Sequence, residues 1–241
     1  MLYISPPFGN YINLRNTKSI HGTFTWERRK GIIHHTLRSL RPVWGGWRNQ
    51  IGLRNWGIRN VSFSFENVYS ISAIHAEDWE LMLTYLPSYL AIELNLGCPN
   101  VTHRPIPNEL LSDFLHKFGT KYIQVKVSPE ISLSEIENLI EIGIQKIHLS
   151  NTLGNDPRGG ISGKQLRLKN LPLVKKVRKM SDIRIIAGGG IYSSDHLKQY
   201  HDAGATDFSL ATVFLSCPWN VPLIIREYTK SISNLGQAEQ W

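Results

Sequence analysis

The chain has 241 residues, 41% hydrophobic and 19% charged, with a formal net charge of +8. That is ordinary globular composition, enough for one sizeable core and close to the roughly 250 residues of one α/β barrel. Lys and Arg are scattered and the densest run, Lys175-Lys176-Val177-Arg178-Lys179, reads as the wet face of a helix, so nucleic acid is not an expected partner. There is no apolar run of about 18 residues, no leader pattern at Met1 to Pro7, and no ligand spacing around the two cysteines, Cys98 and Cys217. A membrane span, a metal site and a disulfide framework are therefore not expected; the expectation is a cytoplasmic protein.

Leu2 to Ser5 reads as a first strand, ended by Pro6-Pro7-Phe8-Gly9. The next candidate, Asn13 to Ile20, follows too closely for a crossover helix, which takes a dozen or more residues. The first βα unit of a barrel would thus be abbreviated. His21 to Asn67 is irregular, with turn or hairpin signals at Gly45-Gly46 and Asn55-Trp56-Gly57. So long a stretch reads as an insertion covering one mouth of the barrel. From Val68 the rhythm is regular. Strands are expected over Val68 to Ala73, Ala91 to Leu96, Tyr122 to Val127, Lys146 to Ser150, Arg184 to Ala187 and Asp207 to Leu210. Helices are expected over Glu77 to Leu86, Asn108 to Lys117, Ser132 to Ile142 with Ser132 as N-cap, Leu171 to Met180, Ser193 to His201 and Val221 to Ile232. Eight strands alternating with helices favour a (β/α)8 TIM barrel over a doubly wound sheet, with an irregular insertion after strand 2 and one domain over residues 1–241.

Chemistry concentrates at strand ends. Ala91 to Leu96 stops at Gly97 and delivers Cys98, which Pro99 prevents from continuing the strand; Asn95 and Asn100 flank the thiol. A plain core cysteine needs no such amides, whereas a planar ligand does, so Cys98 is the candidate reactive group. Lys126 lies inside the apolar strand Val125-Lys126-Val127, where a lysine needs a reason. The reading is a cation facing an anionic cofactor ring. Ser150-Asn151-Thr152 is polar at the next strand end, though a turn would use the same residues. Two Gly-rich stretches, Gly159-Gly160-Ile161-Ser162-Gly163 and Gly188-Gly189-Gly190, together with Ala211-Thr212, suit a phosphate at the last two strand ends.

Taken together these residues resemble the dihydroorotate dehydrogenase family, flavin-dependent (β/α)8 barrels, over nearly the whole chain. Asn95-Leu96-Gly97-Cys98-Pro99-Asn100 is similar to the family's Asn-Leu-Ser-Cys-Pro-Asn segment, whose Cys is the catalytic base in the soluble branch. Val125-Lys126-Val127-Ser128-Pro129 resembles its flavin-contacting strand, Thr17-Lys18-Ser19 its Thr-Lys-Ser strand, and Arg48 to Asn55 its pyrimidine-binding loop. The departures are Gly97 for Ser, Ala211 for Gly, the missing first crossover and the shorter chain. The resemblance implies FMN as cofactor, dihydroorotate as substrate and orotate as product. It implies Cys98 and Lys126 as catalytic groups. Lys18, Asn49, Gly52, Leu53, Asn95, Asn100, Asn151 and Thr152 would hold substrate. Lys18, Ser19, Asn95, Lys126, Ser150, Gly163, Gly189, Gly190, Ala211 and Thr212 would hold FMN. Val101 to Pro107 would act as a lid, and a homodimer is what relatives suggest. Two rival readings are a tRNA-dihydrouridine synthase-like flavin reductase, to which Asn-Leu-Gly-Cys-Pro is also similar, and a flavin-free barrel with a binding role. Against the first stand Val127-Ser128-Pro129, Leu149-Ser150-Asn151-Thr152 and the lack of residues for an added RNA-binding domain.

Overall fold

The computed structural model describes residues 1–100, 105–154 and 158–238. In chain order the elements are β1 (Leu2–Ile4), β2 (Lys18–Phe24), α1 (Ile32–Ser39), β3 (Arg41–Val43), β4 (Gly46–Asn49), β5 (Val68–Ile71), α2 (Asp78–Tyr85), β6 (Ala91–Asn95), α3 (Asn108–Phe118), β7 (Ile123–Val127), α4 (Leu133–Ile142), β8 (Lys146–Leu149), β9 (Gly160–Gly163), α5 (Lys164–Met180), β10 (Arg184–Gly188), α6 (Ser194–Asp202), β11 (Asp207–Leu210), α7 (Val213–Ser216) and α8 (Val221–Ala238). Eight strands close a barrel in the order β1–β11–β10–β8–β7–β6–β5–β2, parallel throughout. This is the expected (β/α)8 architecture, abbreviated first unit included: only a single 3-10 turn, Phe8–Asn10, separates β1 from β2 among the helical elements there.

Alternation along each strand explains the closure. Outward residues such as Ile92, Leu94, Ile123, Val125, Ile147, Leu149 and Ile185 meet the inner faces of the helices, from Trp79 and Phe114 to Val177, Tyr200 and Ile224, in one continuous core. Each such fully buried aliphatic contributes roughly 1.5–3 kcal/mol. A second, smaller cluster, Tyr3, Ile20, Val68 and Ile186, fills the inside of the barrel. It shares that space with polar Glu93, Gln124, His148 and Ser209. Ser132 caps α4 in a reciprocal capping box with Glu135, and Ser193 caps α6.

Four expectations need correction. The second strand does not start at Asn13. Asn16 adopts a left-handed turn conformation with Thr17 N–H closing on Leu14, so the strand begins at Lys18 and runs on to Phe24. The stretch from His21 to Asn67 is not wholly irregular: it finishes β2, forms α1, and makes the β3–β4 hairpin around Trp44 and Gly45. The glycine-rich segment at 159–163 is no free loop. Its residues 160–163 form β9, antiparallel to β4, giving a three-stranded sheet β3–β4–β9. The helix expected from Leu171 begins already at Lys164 and carries Pro172 inside it.

Candidate active site

The carboxyl ends of the barrel strands open into a cavity of about 740 Å³, in the range of small-molecule sites. The insertion forms one wall, with Ile32, Leu37, Trp47, Leu53 and Trp56, and the strand ends form the floor. Among its described lining residues the permanently charged ones are Arg54 and Lys126, both cationic. Such a floor favours an anionic ligand.

Cys98 lines this cavity and is buried, as is Lys126. Burial pushes the thiol up, while a backbone hydrogen bond at Asn100 and the charges of Lys126 and Arg29 pull the other way without overcoming it. The thiol thus stands beside two cations that favour its ionised form. Gly97 has a steric reason: a Cβ there would lie 2.3 Å from the backbone nitrogen of Ser128. The bare glycine lets the end of β6 press against the end of β7, and so brings Cys98 onto the mouth next to Lys126.

Four asparagines converge around the thiol. Asn151 Nδ2 donates to Asn95 Oδ1 at 2.9 Å, and Asn95 Nδ2 donates to Thr23 Oγ1 at 2.9 Å. Asn100 Nδ2 donates to Asn49 Oδ1 at 3.5 Å, while its Oδ1 accepts from the N–H of Gly160 at 2.9 Å. Each amide is oriented by another, which is what fixed polar recognition of a planar ligand requires. Gly52 and Leu53 also line the cavity, both with positive φ, 66° and 53°. Leu53 is a bulky residue in a conformation that glycine favours. It is held there because Asn55 Nδ2 donates to its carbonyl at 2.6 Å and Arg29 Nε donates to the carbonyl of Gly52 at 3.1 Å.

Ser150, Gly189, Gly190, Ala211 and Thr212 meet on the opposite side of the same cavity. Gly189 and Gly190 have φ of 87° and 68°, and a Cβ on Gly189 would lie 2.4 Å from Leu166 Cγ. The loop is anchored from behind: Asn170 Nδ2 and the Tyr200 hydroxyl both donate to the carbonyl of Gly188. Ser5 Oγ and Thr152 Oγ1 are buried and find no partner among the described residues, though both residues line the cavity. Orphaned hydroxyls, bare glycine backbone and cations around one void fit a bound flavin.

Three expected site residues are not brought here. Lys18 and Ser19 sit at the amino end of β2, paired beside Tyr3 and Ile4, at the far end of the barrel. Burial lowers the Lys18 ammonium, its charge is felt by Lys146 at the start of β8, and Ser19 Oγ donates to the carbonyl of Ile12. The β2 residues that reach the cavity are His21, Gly22, Thr23 and Phe24 instead. Gly163 does not line the cavity; it packs against Gly45, Gly46 and Tyr192. Residues 101–104 of the expected lid lie outside the described residues. Arg29, Thr23 and Ser5 join the site without having been assigned to it from sequence, and Asn55, within the expected pyrimidine-binding loop, lines it as well. Thr25-Trp26-Glu27-Arg28-Arg29 offers only a strand followed by charges, and Arg29 reaches the site through a backbone pair with Asn55.

A parallel eight-stranded barrel with polar, cationic strand ends defines an α/β-barrel protein with its ligand site at the carboxyl mouth. The family model for dihydroorotate dehydrogenase matches residues 17–232, and the chain belongs to that family. The catalytic subunit of dihydroorotate dehydrogenase B (NAD(+)) from Listeria monocytogenes serotype 4b is 26% identical over 225 residues, covering 79% of this chain and 74% of that protein. The same subunit from Bacillus cytotoxicus is 27% identical over 226 residues, covering 80% and 73%. Among solved structures, the ligand-free DHODH from Eimeria tenella is similar in fold with a TM-score of 0.71, at 15% identity, covering 98% of this chain and 85% of that one. The same organism's enzyme in complex with ferulenol has a TM-score of 0.66, at 14% identity, covering 91% and 75%. No helix among the described residues is long and apolar enough to cross a membrane.

Proposed function

We propose that this chain, working as one unit, oxidises dihydroorotate to orotate in pyrimidine biosynthesis, with FMN as its cofactor and Cys98 as its base. One observation carries the reading: in a member of this family, Cys98, Lys126 and the asparagines at 49, 95, 100 and 151 surround a single cavity. The substrate is an anionic ring with amide edges that becomes planar on oxidation. Asn49, Asn95, Asn100 and Asn151 match such an edge with donors and acceptors, helped by Thr152 and the backbone at Gly52 and Leu53. Cys98, as thiolate, takes the proton from C5 of the ring. A bound flavin supplies the two-electron acceptor for the hydride leaving C6. Lys126 holds positive charge on the cavity floor, where reduction of the cofactor adds negative charge. Asn95, Lys126 and Ser150, which line the cavity, would hold the cofactor, and Gly189, Gly190, Ala211 and Thr212 would hold its phosphate. Dropping Lys18 from this set leaves Lys126 as the cation assigned to the flavin.

The test is a visible spectrum of purified protein given FMN, followed by anaerobic dihydroorotate. Uptake of flavin and bleaching of its absorption on substrate addition are expected. A protein that takes up no flavin, or whose flavin stays oxidised with dihydroorotate, overturns the reading.

A further inference from the structure

Inside the barrel, next to the cavity, lies a chain of polar side chains from four strands that the reaction above does not use. Glu93 on β6, Gln124 on β7, His148 on β8 and Ser209 on β11 are all at most 3% exposed. Glu93 Oε2 lies 2.6 Å from His148 Nδ1, and Gln124 Nε2 donates to the same oxygen at 2.7 Å. His148 Nε2 lies 2.8 Å from Ser209 Oγ. Ser209 in turn lines the cavity.

The direction of each bond follows from the chemistry of the groups. Burial raises the Glu93 carboxyl, but the hydrogen bonds it accepts from His148 and Gln124 and the nearby charge of Lys126 outweigh it and hold the group ionised. An ionised carboxylate only accepts, so His148 carries its proton on Nδ1. Burial also pushes the imidazole down by more than Glu93 restores, which leaves the ring neutral. Its Nε2 therefore only accepts, and the one proton of Ser209 points at it. What remains of the serine towards the cavity is lone pairs. At this point the floor offers an acceptor, in contrast to the donor at Lys126. A flavin has few donors, its ring imide N–H and its side-chain hydroxyls; its other polar atoms accept.

We propose that Ser209 positions the bound flavin by accepting a hydrogen bond from one of those donors, and that His148 and Glu93 act through it by keeping the serine proton turned away from the cavity. The proposal rests on the flavin reading above, and the tests separate the two. Nitrogen-15 NMR of histidine-labelled protein, with and without FMN, reads the buried ring directly. A neutral His148 with its proton on Nδ1 is expected in both samples; a proton on Nε2 or a doubly protonated ring overturns the proposal. Fluorescence titration then compares wild type with Ser209→Ala, a substitution small enough to keep the fold, as circular dichroism checks. The variant should bind FMN about tenfold more weakly, the loss of one buried hydrogen bond. Repeating the titration with lumiflavin, which lacks the side-chain hydroxyls, sorts the donor. A loss with FMN alone assigns a hydroxyl, and a loss with both ligands assigns the imide. Unchanged affinity for both overturns the proposal. Should the wild type take up neither flavin, the cofactor reading fails, while the tautomer measured without flavin still tests the relay.

Discussion

A thiol removes a proton only after losing its own, so the surroundings of Cys98 set the pH at which this site works. Burial holds the thiol above its ordinary range despite the nearby charges of Lys126 and Arg29. The base-competent fraction then grows as pH rises, and the ascending limb of kcat/KM is expected above the usual thiol value of about 8.5. Arg29→Met removes one cation that favours the thiolate and moves that limb further up; a limb unmoved by the substitution assigns the titration to another group. Cys98→Ala should lower kcat by roughly 10²- to 10⁴-fold, the usual contribution of a positioned base, while flavin absorption persists. Steady-state kinetics across pH and a spectrum of each variant read both outcomes.

Among the elements, the wall between β2 and β5 depends on Asn55. Its Oδ1 accepts from the N–H of Thr25 and Gly57, and its Nδ2 donates to Thr25 Oγ1 and to the carbonyl of Leu53. Asn55→Ala leaves those groups unpaired and should cost about 2–3 kcal/mol in a urea melt, with KM rising more than kcat falls because Leu53 loses its hold. Gly97→Ala forces β6 away from the backbone of Ser128 and should lower kcat while secondary structure is kept. This wall was also where sequence reading had least purchase. From Val68 on, the barrel strands are bounded by turn signals and the helices between them by local periodicity, so their order and most of their ends were legible; β9, the first two turns of α5 and the short α7 were not. The cysteine, Lys126 and the asparagines at 95, 100 and 151 followed from strand ends, whereas Asn49 followed only from the family resemblance. Before Val68 the structure rests on distant partners: β4 pairs with β9, more than a hundred residues on, and the start of β2 depends on its register with β1. No local pattern carries such pairings, and the misplaced Lys18 and Ser19 are the direct result. A motif match gave their identity in the family but not which end of the strand they occupy.

For the molecule as a whole, the seam beside the last strand is secured at the end opposite the cavity. Asp207 on β11 is fully buried, and Arg184 on β10 grips it through Nε at 2.5 Å and Nη2 at 2.8 Å. Burial raises the Asp207 carboxyl, but the bonds from Arg184 and from the Met1 ammonium lower it further, below the usual carboxylate range. Its folded value being depressed, the stability it contributes is present above the unfolded value near 3.9 and is lost as pH falls through the folded one. Arg184→Met should therefore cost about 3 kcal/mol at pH 7, the lower end for a broken buried pair since Arg184 is half exposed. The cost should shrink in strong acid, where Asp207 is neutral. Urea melts of both proteins at the two pH values check this; an equal loss at each pH would assign the effect to packing.

The small sheet over the mouth is stitched by main-chain bonds between Gly46–Asn49 and Gly160–Gly163. Backbone stitching tolerates changes of side chain except where a methyl would wedge the ribbons apart, as at Gly46, where an added Cβ would lie 1.9 Å from the carbonyl oxygen of Ser162. The canopy can thus drift widely in sequence and still hold Trp47 and Asn49 over the same chamber. Evolution is free to repaint that ceiling, provided it leaves the seams bare.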